Sequence, residues 1–262
     1  MTAEVADLGD DGDLDGDLEI TGRVMPASNA TFAAMIGDVA VAYKPIAGEK
    51  PLWDFPGAVL AHREVASYLV SQAFGWDVVP RTWLREGPLG PGMVQLWQDV
   101  DPAQDAVDLV RTGTIPERGW RHVFDGYDGR DRPVSLIHED SPALRRIAVF
   151  DVVVNNADRK GGHVLEIAGG HRHGIDHGLT FHAEHKLRTV LWGWLGQPLD
   201  AVEIAGVERV RHALDGDLAA ALAPFLDDVE LAALIGRCER LLRTGTFPAP
   251  DGEMPAIPWP PF

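Results

Sequence analysis

The chain holds one cysteine, Cys238, among 262 residues. That excludes an internal disulfide framework and a thiolate zinc cage, and it fits a reducing cytoplasm. Positive charge is scarce as well: 23 Lys and Arg stand against 40 Asp and Glu, for a formal net charge of -17. A field of that sign repels polyanions, so nucleic acid and anionic membrane surfaces are poor partners. No stretch of about 18 uncharged apolar residues occurs, and no cationic segment followed by an apolar core opens the chain. The expectation is a soluble, cytoplasmic protein without a membrane span. An internal repeat of fixed period is absent too.

What is present is enough apolar sequence, 45% of the residues, for one two-lobed domain or two small ones. Residues 1–17, with Asp10, Asp11, Asp13, Asp15 and Asp17 spaced by Gly and Leu, read as a disordered acidic tail. Leu18 to Met25 and Met35 to Tyr43 read as paired strands about the turn Pro26 to Thr31. Pro56 to Phe74 has helical spacing and stops at Gly75. Val78 to Leu84 and Met93 to Trp97 return to strand character around Gly87-Pro88 and Gly90-Pro91-Gly92.

Beyond Asp99 the sequence reads as mainly helical. Ser141 is an N-cap with Pro142 at the first helical position, and further helices are expected near Leu199 to Leu214 and Leu218 to Leu242, the latter broken near Pro224. Residues 248–262 form a Pro-rich tail. The expected fold is α+β, with an antiparallel-sheet lobe over 18–98 and a helical lobe over 99–247.

Chemistry concentrates in Asn155-Asn156-Ala157-Asp158-Arg159-Lys160-Gly161-Gly162-His163 and in Ile175-Asp176-His177-Gly178. Phosphoryl transfer needs an acid to orient or deprotonate the attacking hydroxyl, a cation ligand a few residues later, and a second acid to hold the metal under the phosphates. Asp158, His163 and Asp176 fall in that order. Upstream, Lys44 closes a strand and Glu64 lies in the helix twenty positions later, as a phosphate-binding lysine and its orienting glutamate would.

These motifs resemble the phosphoinositide 3-/4-kinase-like, atypical kinase-fold family in its bacterial branch. Asn156-Ala157-Asp158-Arg159 is similar to the family's N-x-D-R catalytic loop, and Asp176-His177-Gly178 to its metal-binding D-x-G turn. Met93-Val94-Gln95-Leu96-Trp97 resembles its hinge. The likeness spans about residues 20 to 200. It implies a two-lobed kinase-like fold with ATP and a divalent cation, Mn²⁺ or Mg²⁺, between the lobes. Ser28, Asn29, Thr31, Lys44, Glu64, Gln95, Leu96 and Trp97 would bind ATP, with adenine meeting backbone groups near Leu96 and Trp97. Asp158 would act on the acceptor, Arg159 or Lys160 would neutralise the transferred group, and His163 with Asp176 would hold the metal. The chain departs from the pattern in its glycine-free turn Ser28-Asn29-Ala30-Thr31 and in having His163 where the family has asparagine.

The implied activity is an ATP-dependent kinase acting on a protein hydroxyl, itself included, or on a small-molecule acceptor. A pseudokinase scaffold, a lipid kinase and an AMP transferase share the pattern and stay open. His171-x-His173-x-x-Asp176-His177 is reminiscent of a zinc-hydrolase motif with one residue too many; the preferred reading sets His171 and His173 in an exposed hairpin and His182 and His185 on the surface. Trp192 and Trp194 read as a buried aromatic knot.

Overall fold

The computed structural model describes residues 14, 16–25, 29–250 and 255–262. Ser28 and most of the acidic stretch lie outside the described residues. An antiparallel sheet forms first, from β1 (Leu18–Arg23), β2 (Phe32–Ile36), β3 (Val39–Pro45), β4 (Thr82–Gly87) and β5 (Gly90–Leu96), in spatial order β1-β2-β3-β5-β4. The apolar stretch expected as one strand from Met35 to Tyr43 is divided between β2 and β3. Gly37 takes φ 56° there and turns the chain so that Ile36 pairs with Val39, a tight reversal that a near-continuous apolar run conceals.

Between β3 and β4 runs α1 (Leu60–Phe74), which starts later than its periodicity implied. Val59, at its N-cap, has no side-chain oxygen to offer. The first amides are met from a distance instead, Leu60 and Ala61 donating to the Glu49 carboxylate at 2.9 and 2.8 Å. The helix ends on Gly75 in the left-handed region at φ 67°, where glycine carries no side-chain penalty.

The segment after Asp99, expected to be mainly helical, first forms a second antiparallel sheet: β6 (Val107–Arg111), β7 (Trp120–Tyr127) and β8 (Pro133–Glu139), in order β6-β8-β7. Its turn carries the physical reason. The Asp128 carboxylate accepts from the amides of Arg130 and Arg132 at 2.8 and 3.0 Å, and such a side-chain cap favours a reversal over a helix. Then comes α2 (Pro142–Val154), begun by Ser141 Oγ accepting from the Leu144 amide at 3.2 Å. A hairpin of β9 (Val164–Ile167) and β10 (His171–Gly174) follows. α3 (Ala201–Ala213), α4 (Asp217–Leu222) and α5 (Asp228–Thr244) complete the lobe. Capping boxes at Asp200/Glu203 and Asp227/Glu230 start α3 and α5.

The order of elements is α+β, a sheet lobe followed by a largely helical one. The described residues near either end of the sequence pack on the body. Leu14 is buried in the sheet core and its carbonyl accepts from Arg85 at 2.9 Å. In the Pro-rich segment, Ala256 O accepts from Thr189 N and Trp192 Nε1 at 3.0 and 2.8 Å, and Pro261 O accepts from Gly161 N at 2.8 Å. No described helix is long and apolar enough to cross a membrane.

Candidate active site

Three elements converge between the lobes. Near the end of β3 stands Lys44, whose Nζ donates to Glu64 Oε1 of α1 at 2.7 Å and also bonds Asp176 Oδ1. The second Glu64 oxygen accepts from the His177 amide at 2.8 Å. One buried carboxylate therefore fixes both the lysine and the turn that carries Asp176. Burial alone would lower the Lys44 pKa, but Asp176 and Glu64 outweigh it and hold the ammonium well above its ordinary value. Burial would likewise raise Asp176, and Lys44 and then His163 reverse this, keeping it well below the usual carboxylate range. Asp176 adopts φ 58°, a left-handed conformation that Asp tolerates better than most residues.

The loop after α2 supplies the rest. Asn155 ends the helix at φ 56°, its side chain donating to the carbonyls of His182 and Glu184. Asn156 Oδ1 accepts from the Asp158 amide at 3.0 Å, which sets the direction of the acid. Lys160 Nζ lies 3.3 Å from Asp158 Oδ2. His163 Nδ1 donates to the Asp158 carbonyl at 2.9 Å, so Nε2 carries the lone pair and stands 3.4 Å from Asp176 Oδ2. Burial pushes the His163 pKa down, the effect of Asp176 opposing it. The imidazole is thus neutral and aimed at the acid.

Arg159 corrects the expectation. It is fully buried, Nε and Nη2 clasping Asp151 at 2.8 and 2.9 Å, while Nη1 donates to the carbonyls of His163 and Ile175 at 2.7 and 3.2 Å. Nη2 also donates to His177 Nε2 at 2.6 Å. A guanidinium committed on every side cannot reach a transferred phosphoryl group. Arg159 instead braces the Asp158 and Asp176 loops against α2. The hinge needs a second correction. Gln95 Nε2 is bonded to Thr82 Oγ1 at 2.8 Å inside the lobe. The Leu96 and Trp97 amides donate to Arg81 O and Ala40 O at 2.9 and 3.1 Å, so those two donors are spent within the sheet. Asn29 Oδ1 accepts from Lys50 N and Thr31 O from Val24 N, both within the sheet lobe.

Asp151 was not singled out in the sequence, and Asn156 and His177 entered only as members of motifs, with no role of their own. The available signal was Asp151, a lone acid inside the apolar run Val149-Phe150-Asp151-Val152-Val153, since a buried carboxylate demands a partner. His177 is buried, and that holds its pKa well below the ordinary value, with Arg159 adding to the effect. Trp194 is buried, donating to Asp140 Oδ1 at 2.8 Å and packed on His138. Trp192 is half-buried.

No family model matches the chain. Protein Rv2133c of Mycobacterium tuberculosis is 46% identical over 261 residues, covering 95% of this chain and 93% of its own. Among solved structures, the crystal structure of a Helicobacter pylori proinflammatory kinase, CtkA, covers 89% of this chain and 93% of its own, at 11% identity and a TM-score of 0.47.

Proposed function

We propose, for a chain that belongs to the family of the Mycobacterium tuberculosis protein Rv2133c, that it is an ATP-dependent kinase transferring the terminal phosphoryl group to a protein hydroxyl. The observation that carries this reading is the bonding of Lys44 to both Glu64 and Asp176 across the lobes, with Asp158 and His163 on the facing loop. The phosphoinositide 3-/4-kinase-like assignment rests on the Asn156 to Arg159 and Asp176 to Gly178 motifs.

In this reading Lys44 binds ATP phosphates under the control of Glu64. Asp158 orients the acceptor hydroxyl and takes its proton as the new oxygen–phosphorus bond forms and the bond to the ADP oxygen breaks. Lys160, next to Asp158, offsets the charge on the transferred group. A divalent cation fits His163 Nε2 and Asp176 Oδ2, because their 3.4 Å separation is close to the edge expected between two donors of one ion, about 3 Å. Bound there, it would neutralise phosphate charge. An imidazole donor favours Mn²⁺ over Mg²⁺. A net charge of -17 weighs against an anionic membrane substrate and in favour of a protein acceptor.

The test is incubation with ATP labelled at either the α- or the γ-phosphate, followed by mass spectrometry of the protein and its melting curve. Transfer of γ-label with a raised melting temperature supports the kinase. Transfer of α-label would replace it with AMP transfer. A melting curve unmoved by ATP with Mg²⁺ or Mn²⁺ would refute nucleotide binding.

A further inference from the structure

The zinc-like histidine motif of the sequence is divided by the fold. Asp176 meets Lys44 in the cleft and His177 is buried against Arg159, whereas His171 and His173, alternate residues on one face of β10, meet Asp77 from the loop that follows α1. The expected exposed hairpin is corrected here, since His173 is buried. Among the described residues, Asp77, His171 and His173 are the one set of three His, Cys, Asp or Glu side chains whose ligand atoms all fall within 4.8 Å of one another. His171 Nε2 lies 3.4 Å from His173 Nδ1 and 3.8 Å from Asp77 Oδ2. The imidazole planes are inclined at 80°.

From this geometry we propose that Asp77, His171 and His173 form a binding site for a divalent transition ion of the zinc class, separate from the cleft. Tetrahedral coordination with metal–nitrogen bonds of about 2.0–2.1 Å places two nitrogen donors about 3.3 Å apart, close to the separation of the two histidine nitrogens. Two imidazoles and one carboxylate select zinc, cobalt or nickel over magnesium or calcium, which prefer all-oxygen cages. His171 now donates from Nε2 to the Asp77 carbonyl at 2.9 Å. On binding, its proton moves to Nδ1 and Nε2 turns its lone pair to the ion, while His173 ligates through Nδ1 and keeps its proton on Nε2. Asp77 and His171 reach solvent, with side-chain exposures of 68% and 35%, so the ion has an entry path and a fourth position for water.

The site joins the loop that follows α1 to β10, which are already linked by the Gly174 amide donating to Val78 O at 2.7 Å. α1 carries Glu64 and β10 runs directly into Asp176. On the kinase reading above, an ion here fastens the supports of both carboxylates that hold Lys44.

The experiment uses the full chain stripped of metal with a chelator. Co²⁺ is titrated while visible absorption is followed, bound Zn²⁺ is counted by elemental analysis, and melting is recorded with and without Zn²⁺. His163→Asn removes the imidazole of the cleft; His171→Gln and Asp77→Asn alter only the new site. The expected result is an intense tetrahedral cobalt spectrum, one tightly held Zn²⁺ and a zinc-raised melting temperature in the His163→Asn protein. All three should be lost in the His171→Gln protein and weakened in Asp77→Asn. Absence of the tetrahedral spectrum in the unaltered chain, or its survival in His171→Gln, overturns the proposal. None of these readouts needs ATP turnover, so failure here and failure of the kinase reading are distinguishable.

Discussion

The two lobes are built to different standards. The sheet lobe has a small core of its own, Leu14, Leu18, Ala34, Ile36, Val41, Tyr43 and Val94. The second core runs from α1 through α5 and on to Phe247. α1 lies between two strands of the sheet in sequence, yet Val65, Ala66, Leu69, Val70 and Phe74 pack into the helical core. Arg63 fastens it there through the Thr180 carbonyl at 2.5 Å and through Glu230 of α5. Gly206 of α3 leaves the space that Trp76 fills. The difference teaches where the site gets its rigidity: Glu64, Asp158, His163 and Asp176 are all presented by the helical body, and the sheet contributes Lys44 across the seam.

If the helical body is the scaffold, its buried ion pair should matter most to stability. Arg159→Leu leaves Asp151 without its charge partner in a fully buried place, which costs about 3–5 kcal/mol. Urea unfolding should show one cooperative transition at a much lower midpoint. A loss under about 1 kcal/mol, the range of an exposed pair, would end the scaffold argument. Asp158→Asn is the counterpart. It removes a charge that faces the cleft, so on the kinase reading phosphoryl transfer should fall about 10²–10⁴-fold while the melting temperature stays unchanged. A large loss of stability in this variant would make Asp158 part of the scaffold.

Acid should loosen the helical side in part through His138 of β8. Its Nδ1 donates to Glu139 O at 2.8 Å and its Nε2 accepts from the Gly193 amide at 3.0 Å, so the native contact needs the neutral ring. Burial lowers its pKa from 6.5 to about 4. Between those values the unfolded chain binds the extra proton, so stability present above pH 6.5 is lost as the pH falls and levels off below about 4. A shift of this size amounts to about 3 kcal/mol. Urea midpoints taken across that interval should fall for the unaltered protein and fall less steeply for His138→Gln, the remaining slope coming from His163 and His177, whose pKa values burial also lowers. Equal slopes would remove His138 from the account.

How far the sequence announced this division depends on the kind of signal. Caps and periodicity are local, so Ser141 with Pro142, the stop at Gly75 and the break near Pro224 were legible. The meeting of Lys44 with Glu64 and Asp176, and of His163 with Asp176, was legible as a set of polar residues spaced along the chain as phosphoryl transfer would use them; their roles belong to the proposal. Three things were not. The second sheet depends on pairing between β6 and β8, separated in sequence, and on a turn closed by one aspartate side chain. The role of Arg159 depends on the depth of Asp151, which sequence spacing does not give. The meeting of Asp77 with His171 joins residues 94 positions apart, beyond any local pattern.

The smallest expected effect tests the seam itself. Glu49, in the loop after β3, is the sheet lobe's hold on the start of α1, accepting from the Leu60 and Ala61 amides. It does the work of an N-cap from outside the helix, and loss of an N-cap costs about 0.5–2 kcal/mol. Glu49→Ala should therefore fray the first turn of α1 without unlocking the rest, because the buried residues from Val65 onward stay seated in the helical core. Native-state hydrogen exchange should quicken at the first-turn amides of α1 and stay unchanged at the amides of α2, with the global unfolding free energy lowered by about 1 kcal/mol. Faster exchange along the whole of α1 would mean that the helix depends on the sheet lobe after all, and the division between the lobes would have to be redrawn to place α1 with the sheet.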